Sequence, residues 1–278
     1  MNHRDESSLL PWAIVGFGRV GQTLGLLADR LQRHLAWTWN RSQASLEEAS
    51  VTSPAPRVGP LPDALADDTA RPLLIWLCVV DDAIVDTFNA LSPQLAPGSV
   101  VVHTSGNLAS TALEAPDGLH VASLHPLLAI ADPHQAIDDL ADAFWTVEGD
   151  PVAIHQLQLA LQGSAIDPAP IESHQKTLYH ASAVTAANLL ISLFDAATTM
   201  AQCAGLDPDQ AQEVLLNLSQ SSLKNLEDSP PSQALTGPAA RGDQGVIDQH
   251  LRALADLDDP QLQAIYHLLT QRALAGLR

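Results

Sequence analysis

Basic residues are scarce in this sequence of 278 residues: 13 lysines and arginines stand against 32 aspartates and glutamates, a formal net charge of −19. Seven basic and 19 acidic residues lie up to position 165, and six basic and 13 acidic residues lie beyond it. Both halves therefore repel polyphosphate backbones, and we expect no binding to nucleic acid. Solubility and a salty cell interior explain the acid excess equally well.

Cysteine and lysine are also rare, with two residues of each. Cys78 lies in an apolar strand-like run and Cys203 in a helical pattern, so neither a disulfide framework nor a thiolate metal site is indicated. We expect both cysteines to be packing residues. Because Lys176 and Lys224 are the only lysines, either one at a chemically useful position stands out.

Long apolar runs are missing too. The longest, Leu73 to Val80, is far shorter than the ~20 residues that a bilayer-spanning helix needs. The polar and acidic start, residues 1–8, lacks the basic and apolar segments of a secretory signal. These features predict a soluble, cytoplasmic protein without a membrane partner.

The length suggests about two domains, and the first half has an α/β pattern. Apolar runs predict strands separated by helical stretches, and the run at 73–80 is apolar on both faces, as in a central parallel strand. Leu24, Leu27, Leu31 and Leu35 are spaced to share one helix face. The predicted strands are Pro11–Val15, Ala36–Trp39, Leu73–Val80, Ser99–Val102 and Phe144–Val147.

The second half has a helical pattern. Apolar residues recur at helical spacing from about Gln175 to Cys203, and such a helix would be about 44 Å long, so we expect it to bend or to pack across a subunit boundary. Asp207-Pro208, Asp243 and Asp258-Asp259-Pro260 each open a further helix, and residues 237–243 read as a loop. We predict a Rossmann domain with a doubly wound parallel sheet over residues 8–165, and an all-α domain over 166–278.

The clearest motif is Gly16-Phe17-Gly18-Arg19-Val20-Gly21, directly after the first predicted strand. The first glycine permits a tight turn, the second lets a pyrophosphate approach the backbone, and the third lets helix and strand pack closely. This arrangement predicts a dinucleotide site formed by all six residues.

The end of the second predicted strand indicates which nicotinamide cofactor binds. An acidic residue there would hold the ribose hydroxyls of NAD, but this chain has Asn40-Arg41-Ser42. Arg41 can pair with a 2′-phosphate, and its two neighbours can donate hydrogen bonds to it. We therefore predict NADP, the alternative being an exposed turn with an incidental arginine.

Two further turns follow predicted strands, at the edge where open parallel sheets bind ligands. Val80-Asp81-Asp82 and His103-Thr104-Ser105-Gly106 are expected to face the nicotinamide half of the cofactor. We assign Val80 and Ser105 to the cofactor, Ser105 also to catalysis, and His103 to the substrate. The two aspartates are expected to cap a helix.

These motifs occur in a characteristic order with Ser123-Leu-His125-Pro126-Leu, Lys176-Thr-Leu-Tyr179-His180-Ala, and Leu235-Thr-Gly237-Pro238-Ala-Ala-Arg241-Gly242-Asp243. Together they resemble Rossmann-like proteins with a C-terminal domain of unknown function 2520, a family related to pyrroline-5-carboxylate reductases and deazaflavin-dependent NADP oxidoreductases. The resemblance spans almost the whole chain. It implies a nicotinamide cofactor and a homodimer built from the helical domains, but it supplies no substrate.

The chain is more distantly similar to β-hydroxyacid dehydrogenases and ketopantoate reductases, which place a lysine and an asparagine on the long helix. Here Lys176, His180 and Asn188 form a stripe on one side of that helix, with a histidine where the asparagine would follow the lysine. Hydride transfer creates charge that a proton donor can neutralise. Lys176 is the first candidate for the proton donor, His180 is either the donor or the group that tunes it, and Asn188 would orient the substrate. A solvated lysine and an interior histidine are the alternatives.

Two other residues are substrate candidates. His125 could line the cleft, or it could be a loop histidine that fixes its own turn. Arg241 could hold a substrate carboxylate, or Arg241 and Asp243 could together cap and brace the following helix; we favour the ligand role for Arg241 and the structural role for Asp243. The histidines lack the spacing of metal ligands, so no metal is predicted.

The leading hypothesis is an NADP-dependent oxidoreductase that reduces or oxidises a small carbonyl, imine or hydroxy acid in a cleft between the two domains. One alternative is an NADP-binding sensor or assembly protein without hydride chemistry. Another is hydride exchange between NADP and a deazaflavin.

Overall fold

In the computed structural model, which describes residues 9–41, 57–61 and 70–277, the first part of the chain forms one sheet. Its spatial order is β3-β2-β1-β4-β5-β6-β7-β8. The strands are β1 Trp12–Val15, β2 Leu35–Asn40, β3 Arg57–Val58, β4 Leu74–Leu77, β5 Val100–His103, β6 His120–Leu127, β7 Phe144–Gly149 and β8 Ala169–Pro170.

Helices cover both faces of this sheet, as in a doubly wound fold. One core joins Ile14 and Trp76 to Leu27 and Leu157 from helices, and the other joins Val15 to Phe88. Strands β1, β4 and β5 are buried along their whole length, which explains their continuous apolar runs. The helices are α1 Arg19–Arg30, α2 Asp81–Leu91, α3 Pro133–Asp139, α4 Pro151–Ala160 and α5 Lys176–Ala186.

The α/β prediction is confirmed, with two local corrections. Helix α1 ends at Arg30 because Gln32 takes a left-handed conformation, with φ of 53°. Leu35 therefore begins β2, and its placement on the face of Leu24 is wrong. The apolar run at 73–80 forms a shorter strand than predicted, since α2 begins at Asp81.

The pairing of β6 with β7 is antiparallel, whereas every other pair in the sheet of the described residues is parallel. The sequence pattern does not predict β6, and a loop position for His125 is one of the two expectations for that residue. His125 in fact lies on β6 opposite Thr146, and Ser123 lies opposite Glu148. The antiparallel register therefore places polar side chains of the two strands in pairs.

The chain divides into two compact units, residues 1–183 and 184–278. The second unit is helical, as predicted, whereas the functional boundary at 165/166 stays a prediction. The long predicted helix consists of α5 and α6, interrupted at Ala187. The helices after α5 are α6 Asn188–Cys203, α7 Pro208–Asp228, α8 Pro231–Ala234, α9 Gly237–Arg241, α10 Gln244–Ala255 and α11 Pro260–Leu274.

The predicted helix starts are confirmed in the second unit. Asp207 and Asp259 cap α7 and α11 by accepting backbone N–H groups two or three residues ahead. The loop predicted at 237–243 is wrong: Pro238 opens the short helix α9, and Gly242 ends it in the left-handed conformation. Cys203 is exposed, so the packing role predicted for it is wrong in the single chain.

One helical stretch of the described chain, Ser173–Cys203, is long and apolar enough to cross a membrane by length and composition alone. Its mean hydropathy is 1.3 over the most apolar window, of which 6% is buried. Polar residues such as Lys176 interrupt it, so a search for unbroken apolar runs does not find it.

Candidate functional site

The glycine motif forms a turn, and the packing of the fold excludes a side chain at two of its three glycines. Gly16 has a φ of +93°, and a Cβ there would lie 2.7 Å from the Cys78 carbonyl. A Cβ on Gly21 would lie 2.1 Å from the Gly16 carbonyl oxygen. At Gly18, by contrast, a Cβ would meet nothing within 4 Å. No packing contact accounts for a glycine at that position.

The open space at Gly18 lies at the start of α1, where the first backbone N–H groups have no partner within the helix. Gly18 is the N-cap of α1 and provides no side-chain hydrogen bond to these donors. A helix end of this kind favours negative charge and is suited to a phosphate. The residues present therefore fit the pyrophosphate of a dinucleotide.

The neighbours of these glycines have different surroundings. Phe17 is fully buried in the core, and only its backbone belongs to the turn, donating its N–H to Asn40 Oδ1 at 3.3 Å. Arg19 is exposed and Val20 is half-buried in the first turn of α1. The structure therefore makes Asn40 a brace of the glycine turn, a role that the sequence analysis does not predict.

An open depression of about 530 Å³ lies beside the end of β2. Arg41 is exposed at its rim, as the NADP prediction requires. Ser42, the third predicted contact, lies outside the described residues. The lining residues are Trp39, Arg41, Gly59, Pro60, Leu61, Asp86, Thr87 and Ala90.

The turns after β4 and β5 are joined through Ser105. Its hydroxyl donates to Asp81 Oδ2 at 2.7 Å and accepts the N–H groups of Asn107 and Leu108 at 3.1 and 2.9 Å. Asp81 therefore holds Ser105, and no side-chain bond caps α2, so the capping prediction is wrong. Val80 is 74% exposed at the same edge, which leaves it accessible to a cofactor.

Three polar residues form one row across the sheet. His103 on β5 is in register with Ser123 on β6, which is in register with Glu148 on β7. All three side chains are buried, with 0%, 0% and 6% exposure. The row lies at the edge where the Ser105 turn begins.

Lys176, the first residue of α5, reaches this row and is 1% exposed. Its ammonium donates to Ser123 Oγ at 2.6 Å and to the Ser105 carbonyl at 3.1 Å, and it lies 3.9 Å from Glu148 Oε1. The alternative of a solvated lysine is therefore wrong. Burial lowers the pKa of Lys176, while the carboxylates of Glu148 and Asp81 act in the opposite direction.

Two imidazoles lie over the backbone of Gly106, next to Ser105. A Cβ on Gly106 would lie 2.8 Å from His125 Nε2 and 2.9 Å from His180 Nδ1. The rings of His125 and His180 are 5.7 Å apart and meet edge to face, and Tyr179 contacts His125 at 5.8 Å. We call His125 and His180 the imidazole pair.

The imidazole pair has unused hydrogen-bonding capacity. The Nδ1 atoms of both rings are buried without a hydrogen-bond partner. The pKa of His125 is lowered from 6.5 to about 4, mainly by burial and to a smaller extent by the charges of His180 and Lys176. Burial, then Lys176, lowers the pKa of His103 to about 4 as well. His103 and His125 are therefore uncharged at neutral pH.

The remaining predicted residues belong to the second unit. Asn188 begins α6, and Arg241 ends α9, where it lies 3.9 Å from Asp243. The structure brings together Ser105, His125, Lys176 and His180 in the first unit. In the part of the chain that it describes, no group of three or more metal-ligating side chains could hold an ion.

Glu148 and Ser123 are parts of the site that the sequence analysis missed. The apolar pattern predicts that β7 ends at Val147, whereas the strand continues through Glu148 to Gly149. A carboxylate directly after an apolar strand is a usable signal, since a buried charge requires partners.

A glycine turn between a buried strand and a helix, in an open sheet covered on both faces, defines the Rossmann-like class. Residues 4–126 match the model of the Rossmann-like domain. Residues 143–273 match the domain of unknown function DUF2520. The chain therefore carries a Rossmann-like domain followed by a DUF2520 domain, as the sequence motifs predict.

Solved structures share this fold at low sequence identity. A candidate NADP oxidoreductase of Bacteroides fragilis matches with a TM-score of 0.77 and 21% identity, over 96% of this chain and 98% of that one. A Plasmodium falciparum pyrroline carboxylate reductase with NADP bound gives 0.58 and 11%, over 96% and 98%. An Aspergillus terreus reductive aminase in complex with NADPH gives 0.59 and 16%, over 96% and 94%. None of the curated proteins compared with the chain matches it significantly in sequence.

Proposed function

We propose that the protein is an NADP-dependent oxidoreductase acting on a small carbonyl, imine or hydroxy acid. The observation that carries this proposal is Gly18, where the fold requires no glycine and the N-terminus of α1 lacks a side-chain cap. Space for a phosphate at that point explains both features. The NADP and NADPH bound to structural relatives support the same cofactor.

The bound nicotinamide supplies or accepts the hydride in this reaction. In reduction the chain itself supplies the proton that neutralises the charge developing on the substrate oxygen or nitrogen, and in oxidation the same group accepts the proton that leaves the substrate. His180 is the favoured donor because the ammonium of Lys176 is engaged by Ser105, Ser123 and Glu148. His125, uncharged at neutral pH, would accept a hydrogen bond from the substrate or from His180.

The proposal is tested with purified protein in two steps. Calorimetry with NADPH and NADH measures cofactor binding, and a panel of carbonyls and imines is then screened by the loss of NADPH absorbance. We expect NADPH binding and turnover of at least one compound. Failure to bind either cofactor at millimolar concentration would contradict the proposal.

Arg41→Glu should weaken NADPH binding at least tenfold more than NADH binding. The substitution replaces the cation at the rim of the β2 depression with a carboxylate that repels a 2′-phosphate. Calorimetry with both cofactors measures the two affinities. Arg71→Glu, which makes the same charge change at another exposed residue, should leave their ratio unchanged. An equal loss for both cofactors at Arg41 would remove the assignment of NADP.

A second candidate function is an NADP-binding sensor without hydride chemistry. The observation that favours it is the full engagement of Lys176 and of the Ser105 hydroxyl, two of the predicted catalytic groups. Tight NADPH binding without turnover of any screened compound, with or without an added deazaflavin, would support this alternative.

We further propose that the protein is a homodimer formed through its helical unit. Among the described residues, the apolar cluster of this unit has three buried members, Ala196, Leu254 and Leu262. Ile191 on α6 and Leu218 on α7 are 70% and 62% exposed. Exposure of such apolar faces to water is unfavourable, and a second copy of the chain would cover them.

A membrane is a poorer occupant of this surface. The stretch Ser173–Cys203 begins with Ser173 and Lys176, which bond to Glu148 and Ser123 of the sheet. A segment fixed to a sheet by buried hydrogen bonds does not start a bilayer span. The net charge of −19 also opposes contact with anionic lipids.

Ile191→Asp should convert the dimer to a monomer. Burying an unpaired carboxylate in an apolar interface costs more than the interface gains from one residue. Light scattering should give about twice 29.5 kDa for the wild type and 29.5 kDa for the variant. Asn217→Asp, an exposed position on α7, serves as the control and should stay dimeric. A monomeric wild type would contradict the proposal.

A further inference from the structure

The carboxylate of Glu148 connects three separate segments of the first unit. Its Oε1 atom accepts the Ser110 N–H at 2.6 Å, and its Oε2 atom accepts the hydroxyls of Ser110 and Ser173 at 2.7 and 2.9 Å. Lys176 lies 3.9 Å from Oε1. The turn after β5, the strand β7 and the start of α5 therefore meet at one buried charge.

This arrangement fixes Lys176 in position. An ammonium that is 1% exposed is costly without a counter-charge, and Glu148 is the carboxylate that pairs with it. The two hydrogen bonds of Lys176 to the Ser105 carbonyl and Ser123 Oγ then set its direction. Since Glu148 accepts three other hydrogen bonds, it cannot follow Lys176 elsewhere.

Lys176 in turn holds the Ser105–Gly106 backbone, against which the imidazole pair packs. Ser105 is held on both sides, its hydroxyl by Asp81 and its carbonyl by Lys176 together with Ser123 Oγ, which itself accepts a hydrogen bond from Lys176. The next residue, Gly106, lies directly against His125 and His180, with no room for a side chain. A shift of Lys176 would therefore move the peptide on which both rings rest.

We propose that Glu148 is a positioning residue that acts through Lys176 to hold the Ser105–Gly106 turn beneath His125 and His180. The inference rests on the proposed function, because it assigns proton transfer to this pair. Glu148 itself contacts neither substrate nor cofactor in this role.

The scarcity of lysine makes a direct test possible. Protein labelled with ¹³C at the lysine ε-carbon gives two side-chain signals, and Lys224→Arg identifies that of Lys176. In Glu148→Gln the Lys176 signal should titrate at least one pH unit lower than in the wild type, because the counter-charge is gone. The Lys224 signal should not move.

Activity gives the second readout. In Glu148→Gln, kcat should fall at least tenfold and its pH profile should shift, while the KM for NADPH stays within threefold. Glu114→Gln, which removes an exposed carboxylate, is the matched control and should alter neither readout. An unchanged Lys176 titration together with unchanged kcat would overturn the proposal, as would a loss of kcat that has no pH-profile shift.

Ser173→Ala covers the case in which Glu148→Gln does not fold. It removes one hydrogen bond to Oε2 and leaves the charge in place. The Lys176 signal and the ring signals of His125 and His180 should shift, and kcat should fall about threefold. Unchanged signals would overturn the proposal. If the wild type binds no NADPH, the proposed function fails, while the lysine titration still decides whether Glu148 holds Lys176.

Discussion

Lys176→Met should lower the free energy of unfolding by about 3–5 kcal/mol. Methionine nearly matches the lysine stem in volume, so the loss arises from charge and not from a cavity. The variant leaves the Glu148 carboxylate, 6% exposed, without its cation, and removes one donor to the Ser105 carbonyl, which keeps its hydrogen bond from Ser123 Oγ. Urea unfolding followed by circular dichroism measures the change.

The other lysine provides the control for this prediction. Lys224 is exposed on α7, and Lys224→Met should change the free energy of unfolding by less than about 0.5 kcal/mol. Removing both buried charges, in Lys176→Met with Glu148→Gln, should restore part of the loss, because no unpaired ion remains. Equal effects of the two lysine substitutions would show that Lys176 is solvated in solution.

The sequence predicts strands well where both faces of the sheet are buried. Strands such as β4 have apolar residues on both faces, and the glycine motif places β1 and α1. Prediction fails at β6, whose His120, Ser123, His125 and Pro126 interrupt any strand pattern. Ser123 is tolerated there because it bonds to Lys176 of α5, and His120 because it pairs with Asp150; both partners lie 30 or more positions further along the chain.

Contacts between residues that lie far apart in the chain also limit the prediction of the candidate site. Lys176 and His180 stand out because lysine is rare and because family motifs contain them. Their surroundings depend on the antiparallel register of β6 and β7, which puts Glu148 opposite Ser123. Spacing along the chain carries no information about that register. The sequence therefore indicates which residues belong to the candidate site, while the structure indicates which of their polar atoms lack a hydrogen-bond partner.

Gly18→Ala and Gly21→Ala should separate cofactor binding from folding. A methyl group on Gly21 would meet the Gly16 carbonyl oxygen at 2.1 Å, so the helix must move away from β1. We expect a loss of about 3 kcal/mol of stability, seen as a lower urea midpoint. A methyl group on Gly18 meets no protein atom within 4 Å, and stability should change by less than about 1 kcal/mol.

Gly18→Ala, which should hardly change stability, should strongly weaken cofactor binding. Gly18→Ala should fold normally yet bind NADPH at least tenfold more weakly, a difference of about 1.4 kcal/mol, because its methyl group occupies the place of a phosphate oxygen. Calorimetry on the folded variant measures this directly. Wild-type affinity in Gly18→Ala would mean that the pyrophosphate does not lie at this turn, and the hydride chemistry assigned to the imidazole pair would then lose its cofactor.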